Sequence, residues 1–148
     1  MSRWAVRVRP LEPSDLDAIV VIDEKLSGQT RKDYWQQRLE IASLRPPWMS
    51  LVAETDGRLG GFLFGWVGQS EFGIAQPTGW IDLVGVDPAY RGRGIARALL
   101  GAFVESGREL RALARIATLV DLGQDDVREF FLRQGFRPGP LIQLERAV

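Results

Sequence analysis

Residues 86–96 constrain the fold more than any other part of this 148-residue chain. They read Val-Asp-Pro-Ala-Tyr-Arg-Gly-Arg-Gly-Ile-Ala, so an apolar strand ends at Asp87, a loop with two glycines follows, and a helix begins near Gly94. Such a loop gathers free backbone N–H groups at the positive end of a helix dipole, where they can hold a phosphate. The loop is not a Walker A sequence, which needs Gly-Lys followed by Ser or Thr. It is not a Rossmann fingerprint either, because Arg97 stands where a third small residue is required.

The remaining apolar pattern predicts an α/β domain built around one sheet. Alternating residues predict strands, with a tight Asp56-Gly57 turn after the second, at 6–9, 51–54, 59–67, 80–86, 115–121 and 141–145. Helical spacing predicts two helices capped by Ser14 and Thr30, and two more over 94–110 and 125–134, the last ended by a left-handed Gly135. Four glycines in and after the third strand indicate bulges or close backbone contacts. The predicted order is β-α-α-β-β-β-α-β-α-β.

Composition excludes several kinds of site. The chain has no Cys and no His, which excludes a disulfide framework, a zinc finger, a thiolate nucleophile and a Ser-His-Asp triad. Nineteen basic and nineteen acidic residues cancel, so no overall basic field favours nucleic acid or an anionic membrane. No apolar run is long enough for a signal peptide or a membrane span. We therefore expect a cytoplasmic protein whose chemistry uses carboxylates, hydroxyls, amides and a cofactor, and no metal.

Two segments carry a resemblance to a known family. Arg91, Gly94 and Ala96 form the pattern Arg-x-x-Gly-x-Ala after a Val-Asp-Pro-x-Tyr strand end, and residues 130–136 read Phe-Phe-Leu-Arg-Gln-Gly-Phe. These resemble motif A and the late Tyr-Glu-Lys-x-Gly-Phe segment of the GCN5-related N-acetyltransferases (GNAT), and the element order is similar over almost the whole chain. The resemblance implies one acyl-CoA N-acyltransferase domain over residues 1–148, with a mostly antiparallel sheet flanked by helices. The alternative is that residues 91–96 only connect a strand to a helix.

The resemblance also implies where acetyl-CoA or coenzyme A binds. The backbone of the strand end would pair with the amide groups of the pantetheine arm, in effect as an added strand, and Gly85 would allow close approach. The N–H groups of the glycine loop would hold the pyrophosphate, with two arginines alongside. Gln124 stands where similar enzymes often have an asparagine. The cofactor-binding residues implied in this way are Val84, Gly85, Val86, Arg91, Gly92, Arg93, Gly94, Ile95, Ala96 and Gln124.

Direct attack of an amine on the acetyl thioester is the chemistry that the resemblance implies, so a carboxylate should take the proton, directly or through water. Asp82 is the first candidate, because similar enzymes often carry an acidic residue on this strand. Strand alternation would place it on one face with Val84 and Val86, where apolar neighbours would raise its pKa. A purely structural Asp82 is the alternative, and Asp121 is the second candidate base. Phe131 stands where the family often has a tyrosine that protonates the leaving thiolate, which leaves that proton to water.

The acceptor is expected at the first two helices and residues 69–79. Acidic residues there would favour a cationic amine, although a solvated helix face explains them equally well; they are Asp23, Glu24, Asp33, Glu40 and Glu71. Four aromatic residues could line a pocket or belong to the core, namely Trp35, Trp48, Phe72 and Trp80. We expect a small-molecule amine or a peptide N-terminus as acceptor, and some of the five tryptophans suit a homodimer contact. Because Phe131 cannot donate a proton, a non-catalytic acyl-CoA-binding or sensor domain is the alternative function.

Overall fold

Five strands and four α-helices follow one another along residues 5–148, the part of the chain that the computed structural model describes. Residues 1–4, which include Trp4 and the start of the N-terminal segment where no signal peptide is expected, lie outside that range. The elements are β1 (Arg7–Pro10), α1 (Leu16–Ser27), α2 (Lys32–Ser43), β2 (Ser50–Thr55), β3 (Arg58–Gly68), β4 (Thr78–Val86), α3 (Ile95–Arg111), β5 (Arg115–Thr118) and α4 (Asp125–Arg133). Short 3-10 turns lie between several of them, and no helix of the described residues is long and apolar enough to cross a bilayer.

The strands form one sheet in the order β1-β2-β3-β4-β5. Strands β1 to β4 are antiparallel to their neighbours, and β5 runs parallel to β4. Asp56 and Gly57 connect β2 to β3 with φ values of 55° and 69°, as a tight hairpin turn requires. The mixed, mostly antiparallel sheet flanked by helices is therefore confirmed.

The chain divides into two compact units. The first, Met1–Thr118, holds the whole sheet with α1, α2 and α3. The second, Leu119–Val148, holds α4 and the segment that follows it. A single domain over residues 1–148 stays a prediction.

The two faces of the sheet are covered in different ways. On one face, the Trp35 ring of α2 packs edge-on against Phe62 at 5.1 Å, within a buried cluster that also takes in α1. On the other face, α3 lies so close to β3 that a Cβ at Gly61 would sit 2.6 Å from Ile95, and one at Gly65 would sit 2.6 Å from Phe103. The predicted close contacts at the glycines of this strand are confirmed. So is a bulge, because Gly60 has no partner in β2 between the pairs Ala53–Gly61 and Glu54–Leu59.

Both predicted helix N-caps are wrong. A 3-10 turn over Pro13–Asp15 precedes α1, and the Asp15 carboxylate, not the Ser14 hydroxyl, accepts the Glu12 N–H at 2.8 Å. The same carboxylate takes two hydrogen bonds from Arg9, at 2.8 and 2.9 Å, so a long-range ion pair fixes this end of the helix. Helix α2 begins one residue later than Thr30 would dictate, with Arg31 at its N-cap.

Two strand predictions near the end of the chain are also wrong. Strand β5 ends at Thr118 instead of residue 121. The last predicted strand does not form, because residues 141–145 are irregular. Leu141, Ile142 and Leu144 are exposed in that segment. An apolar run becomes a strand only where a neighbouring strand accepts its backbone hydrogen bonds, and that partner is not encoded locally.

Candidate active site

The glycine loop after β4 is anchored by a buried carboxylate. Asp87 accepts a hydrogen bond from the Ala89 N–H at 2.9 Å and from the Lys25 ammonium of α1 at 2.9 Å. The Asp87 N–H in turn donates to the Gly60 carbonyl of β3 at 2.8 Å. The start of the loop is therefore held by both α1 and β3.

Two left-handed glycines open the loop toward solvent. Gly92 and Gly94 have φ values of 80° and 79°, and a Cβ at either position would meet no atom within 4 Å. The first backbone bond of α3 runs from the Ala98 N–H to the Gly94 carbonyl at 2.9 Å, so the N–H groups of residues 95–97 have no acceptor within the helix. Open backbone donors at a helix N-terminus form a site for an anion such as phosphate.

The side chains of the predicted loop residues Arg91, Arg93 and Ile95 have different surroundings. Arg91 is exposed and forms no ion pair within residues 5–148. The Arg93 guanidinium instead bonds Asp56 of the β2–β3 turn at 2.6 Å and lies 4.8 Å from the centre of the Tyr90 ring. The side chain of Ile95 is 2% exposed and packs on β3, so only its backbone faces the loop. Of these two loop arginines, Arg91 is the one whose charge can meet a ligand.

Strand β4 loses one neighbour before it reaches the loop. Its pairing with β5 ends at Ile81 and Thr118, whereas its pairing with β3 continues to Val86. The N–H and C=O groups of successive residues in a strand point to opposite sides. Since the Asp87 N–H points toward β3, the backbone groups of Val84 and Val86 point away from β3, toward the side where β5 has ended. No strand within residues 5–148 pairs with this edge over 82–86, which therefore presents the backbone that an amide chain would need.

Gly85 has a different role from the one predicted. A Cβ at Gly85 would collide with the Phe62 ring, its direct partner across the β3–β4 ladder. The space over Gly85 is therefore filled by protein and does not serve close approach of a ligand. Its backbone pairs with β3, which leaves Val84 and Val86 to offer hydrogen bonds at the open edge.

The predicted surroundings of Asp82 are wrong because a bulge interrupts the strand. Ile81 pairs with Gly65 and Leu83 with Phe64, so no β3 residue pairs with Asp82 and the expected alternation of faces fails here. The Asp82 carboxylate turns toward α2 and forms an ion pair with the Arg38 guanidinium. Its side chain is 36% exposed, and a cation, not an apolar wall, is its neighbour.

Arg45 is the second guanidinium beside Asp82. It donates to the Gly65 carbonyl at the bulge, at 3.3 Å. Burial lowers the pKa of Arg45, repulsion by Arg38 lowers it further, and the Asp82 carboxylate acts in the opposite direction. Sequence reasoning missed both arginines, because they lie on and after α2, far from β4 along the chain.

The other candidate base and Gln124 belong to the second unit. The Asp121 carboxylate accepts the Gly123 N–H at 2.7 Å, and the Asp121 carbonyl accepts the Gln124 N–H at 3.0 Å. Both residues thus form the turn that leads into α4, where Gln124 is the N-cap without a side-chain cap bond. The role of Asp121 as a base stays a prediction.

Phe131 has a clear structural role in the end of α4. The Phe136 N–H donates to the Phe131 carbonyl and the Gly135 N–H to the Leu132 carbonyl, both at 3.1 Å, and Gly135 has a φ of 94°. These are the two bonds of a Schellman motif. The motif usually also has an apolar contact between the residues at the positions of Phe131 and Phe136. The Phe131 and Phe136 rings supply it at 5.0 Å. The predicted left-handed Gly135 is confirmed. Phe131, at the position where the family often has a proton-donating tyrosine, packs against Phe136.

The predicted acceptor residues are only partly available. Hydrogen bonds from Arg31 at 2.7 and 2.9 Å hold Asp23 and lower its pKa, so its charge is compensated. Trp35 belongs to the core and packs on Phe62, and the half-buried Trp48 packs on Phe103. Phe72 and Trp80 form an open aromatic surface instead: Trp80 stacks on Trp66 at 5.9 Å, and Phe72, 68% exposed, contacts Trp80 at 5.4 Å.

Known proteins share this sequence pattern and fold. N-alpha-acetyltransferase RimI of Mycobacterium tuberculosis (strain ATCC 25618 / H37Rv) is 44% identical over 52 residues, which are 34% of this chain and 33% of that protein. The match thus spans about a third of this curated relative. Aminoglycoside N-acetyltransferase AAC(6')-Iy, solved in complex with CoA, superposes with a TM-score of 0.79 at 17% identity, over 97% of this chain and 95% of that one.

A second solved structure gives the same result. Ribosomal-protein-alanine N-acetyltransferase from Brucella melitensis biovar Abortus 2308 superposes with a TM-score of 0.76 at 19% identity, over 97% of this chain and all (100%) of that one. At such identities these structures establish the fold. The sequence model of the Acetyltransferase (GNAT) family matches residues 16–136, from the start of α1 to the end of the Schellman motif. The chain belongs to the GNAT family of acetyltransferases.

Proposed function

We propose that this protein is an acetyl-CoA-dependent N-acetyltransferase that acts on a primary amine of a small molecule or of a peptide N-terminus. One observation carries the proposal: strand β4 presents an unpaired backbone edge over residues 82–86 and then runs directly into an open loop of N–H donors. An edge of this kind suits a chain of amide groups, and such a loop suits a pyrophosphate. Both parts occur in order along coenzyme A.

The residues present fit coenzyme A at two points. Gly92 and Gly94 leave room for phosphate oxygens to reach the backbone, since a Cβ at either would occupy space that no protein atom fills. Arg91 adds an exposed positive charge beside them. Along the edge, the backbone groups of Val84 and Val86 would bond the amides of the pantetheine arm.

The chain's own groups would then handle the amine. Acetyl-CoA, when bound, supplies a thioester that an amine can attack directly, and a chain without Cys or His has neither of those side chains to carry the acetyl group itself. The Asp82 carboxylate lies on β4 just before the unpaired valines, where it can accept the proton that the amine loses, directly or through water. Arg38 fixes its orientation from α2.

A second function is favoured by Phe131. Phe131 is 6% exposed and completes the apolar contact at the C-terminus of α4. Packing therefore explains this residue, which cannot donate a proton. A domain that binds acyl-CoA without turnover would need no donor. Replacing Asp82 by Asn separates the two functions, because an enzyme should lose turnover and still bind CoA, whereas a sensor has no turnover to lose.

Thermal unfolding with acetyl-CoA, CoA and ADP as a phosphate-matched control tests the proposal. A ligand at one hundred times its dissociation constant adds about 2.7 kcal/mol to the free energy of unfolding. For a chain of this length that raises the melting temperature by roughly 5–10 °C.

A shift with both CoA species and none with ADP supports the cofactor, and CoA release in the presence of amines then supports the transfer. No shift at saturating ligand would mean that the loop only connects β4 to α3, and the proposal would fail.

A further inference from the structure

Three side chains form a charged cluster where α2 meets the bulge of β4, and we call Arg38, Asp82 and Arg45 the arginine cluster. Arg38 pairs with Asp82, and Arg45 bonds the carbonyl of Gly65 opposite the bulge. Two guanidinium groups face one carboxylate, so the cluster carries a net charge of +1. The depressed pKa of Arg45, caused first by burial and then by Arg38, agrees with this excess of positive charge.

One buried donor of the Arg38 guanidinium is unused. Its Nε is buried and bonds no acceptor among the described residues. A buried donor without an acceptor is unfavourable, and guanidinium groups usually bind oxygens through paired N–H groups. Nε and the Nη2 that contacts Asp82 can lie on one edge of the planar group. An oxygen bound at Nε would therefore lie next to the Asp82 carboxylate.

We propose that Arg38 determines acceptor specificity by selecting amines that carry a carbonyl or carboxylate oxygen on the neighbouring carbon. This inference rests on the proposed function. The amine nitrogen would meet Asp82, and the oxygen would accept the Nε–H of Arg38. An α-amino acyl group, whether of a peptide N-terminus or of a free amino acid, places a nitrogen and an oxygen side by side in this way.

The charge of the cluster argues in the same direction. A polyamine would bring more positive charge to a site that already has an excess, and it has no oxygen for Nε. Of the acidic residues that favoured a cationic acceptor, Asp23 is already compensated by Arg31. The local charge therefore favours an acceptor with an oxygen beside its amine.

The test compares four acceptors as substrates of the 148-residue protein. They are a short peptide with a free N-terminal alanine, alanine itself, sec-butylamine, which lacks the oxygen, and spermidine. Each is assayed by CoA release with the wild type and with Arg38→Lys, which keeps the charge but removes the Nε–H. Arg108→Lys is the matched control, because Arg108 is 67% exposed on α3 and pairs with Glu105 one turn away.

We expect kcat/KM for the peptide or for alanine to exceed that for sec-butylamine in the wild type. This ratio should fall by about tenfold to a hundredfold in Arg38→Lys, as loss of a charged hydrogen bond predicts. Comparing ratios between variants cancels the different basicities of the amines. The ratio should not change in Arg108→Lys. Comparing the peptide with alanine shows whether the site prefers a carbonyl oxygen, as in the peptide, or a carboxylate oxygen, as in alanine.

An unchanged ratio in Arg38→Lys, or a preference for spermidine, would overturn the inference. An equal loss with every acceptor would do the same, since it indicates a structural role for Arg38. Titration calorimetry of alaninamide into the CoA-saturated protein adds a readout without turnover, and Arg38→Lys should abolish that binding; no binding to the wild type would count against the inference. If CoA gives no thermal shift, the proposed function itself fails; if transfer occurs without discrimination, only the inference fails.

Discussion

Replacing Gly94 by alanine tests the loop as an anion site without changing any charge. Gly94 has φ 79° and ψ 19°, and a Cβ there meets no atom within 4 Å, so the substitution adds only backbone strain and a methyl group in open space. An L-residue in this left-handed conformation costs about 1–2 kcal/mol. For a chain of this length, the melting temperature should fall by roughly 2–8 °C.

The effect on ligand binding is separate from the strain. The methyl group would stand where a phosphate oxygen approaches the N–H groups at the start of α3, and we expect Kd for CoA to rise about tenfold, which is about 1.4 kcal/mol. At a fixed concentration of one hundred times the wild-type Kd, the stabilisation by CoA should fall from about 2.7 to about 1.4 kcal/mol. The rise in melting temperature caused by CoA should therefore halve.

Gly28→Ala is the matched control for this experiment. Gly28 ends α1 with φ 76° and ψ 7°, and a Cβ there also meets no atom within 4 Å. Both variants should lose the same stability without ligand, but Gly28→Ala should keep the full CoA shift. Equal CoA shifts in the two variants would refute the reasoning, because the ligand would then not contact the loop backbone.

Three further predictions follow from contacts described above. Asp82→Asn should lower kcat by about a hundredfold or more and leave the CoA thermal shift unchanged, as steady-state assays and melting curves can show; full turnover would remove Asp82 as the base. Burial alone would raise the pKa of Asp15, but hydrogen bonds from Arg9 and from the backbone of residue 12 lower it. Its contribution to stability is therefore complete above about pH 4 and is lost as pH falls further, so urea unfolding should show the deficit of Asp15→Asn shrinking below about pH 4. A deficit independent of pH would contradict this. Gly61→Ala should cost about 1–3 kcal/mol by pushing α3 off β3, whereas the exposed helical Gly101→Ala should gain up to about 1 kcal/mol. A neutral Gly61→Ala would mean that α3 does not rest on this glycine.

The parts of the site that could be predicted are those with a local signal. Gly92 and Gly94 were identified because glycine spacing, a preceding strand and a following helix lie within one short segment. Gly135 and Phe136 were recognisable for the same reason, since a Schellman motif spans only a few residues. The order of the elements also followed from local periodicity, apart from the last strand.

The parts that could not be predicted depend on long-range contacts. Arg38 reaches Asp82 across 44 residues and Lys25 reaches Asp87 across 62, and no pattern in the sequence pairs them. The bulge at Asp82 depends on how β4 pairs with β3. Strict alternation along β4 alone therefore predicts the wrong face of the sheet for the Asp82 side chain. Gly85 looked like a ligand contact because the ring above it, Phe62, belongs to another strand.

The missing neighbour of β4 also has a consequence for how the protein behaves at high concentration. A strand edge without a partner is a template on which a second chain can add, and this is a common start of aggregation. Here the edge over residues 82–86 is short, it begins with the charged Asp82, and Val84 beside it is 36% exposed. Any molecule that pairs with this edge would also shield it, so coenzyme A, if it binds there as proposed, would slow aggregation of the concentrated protein.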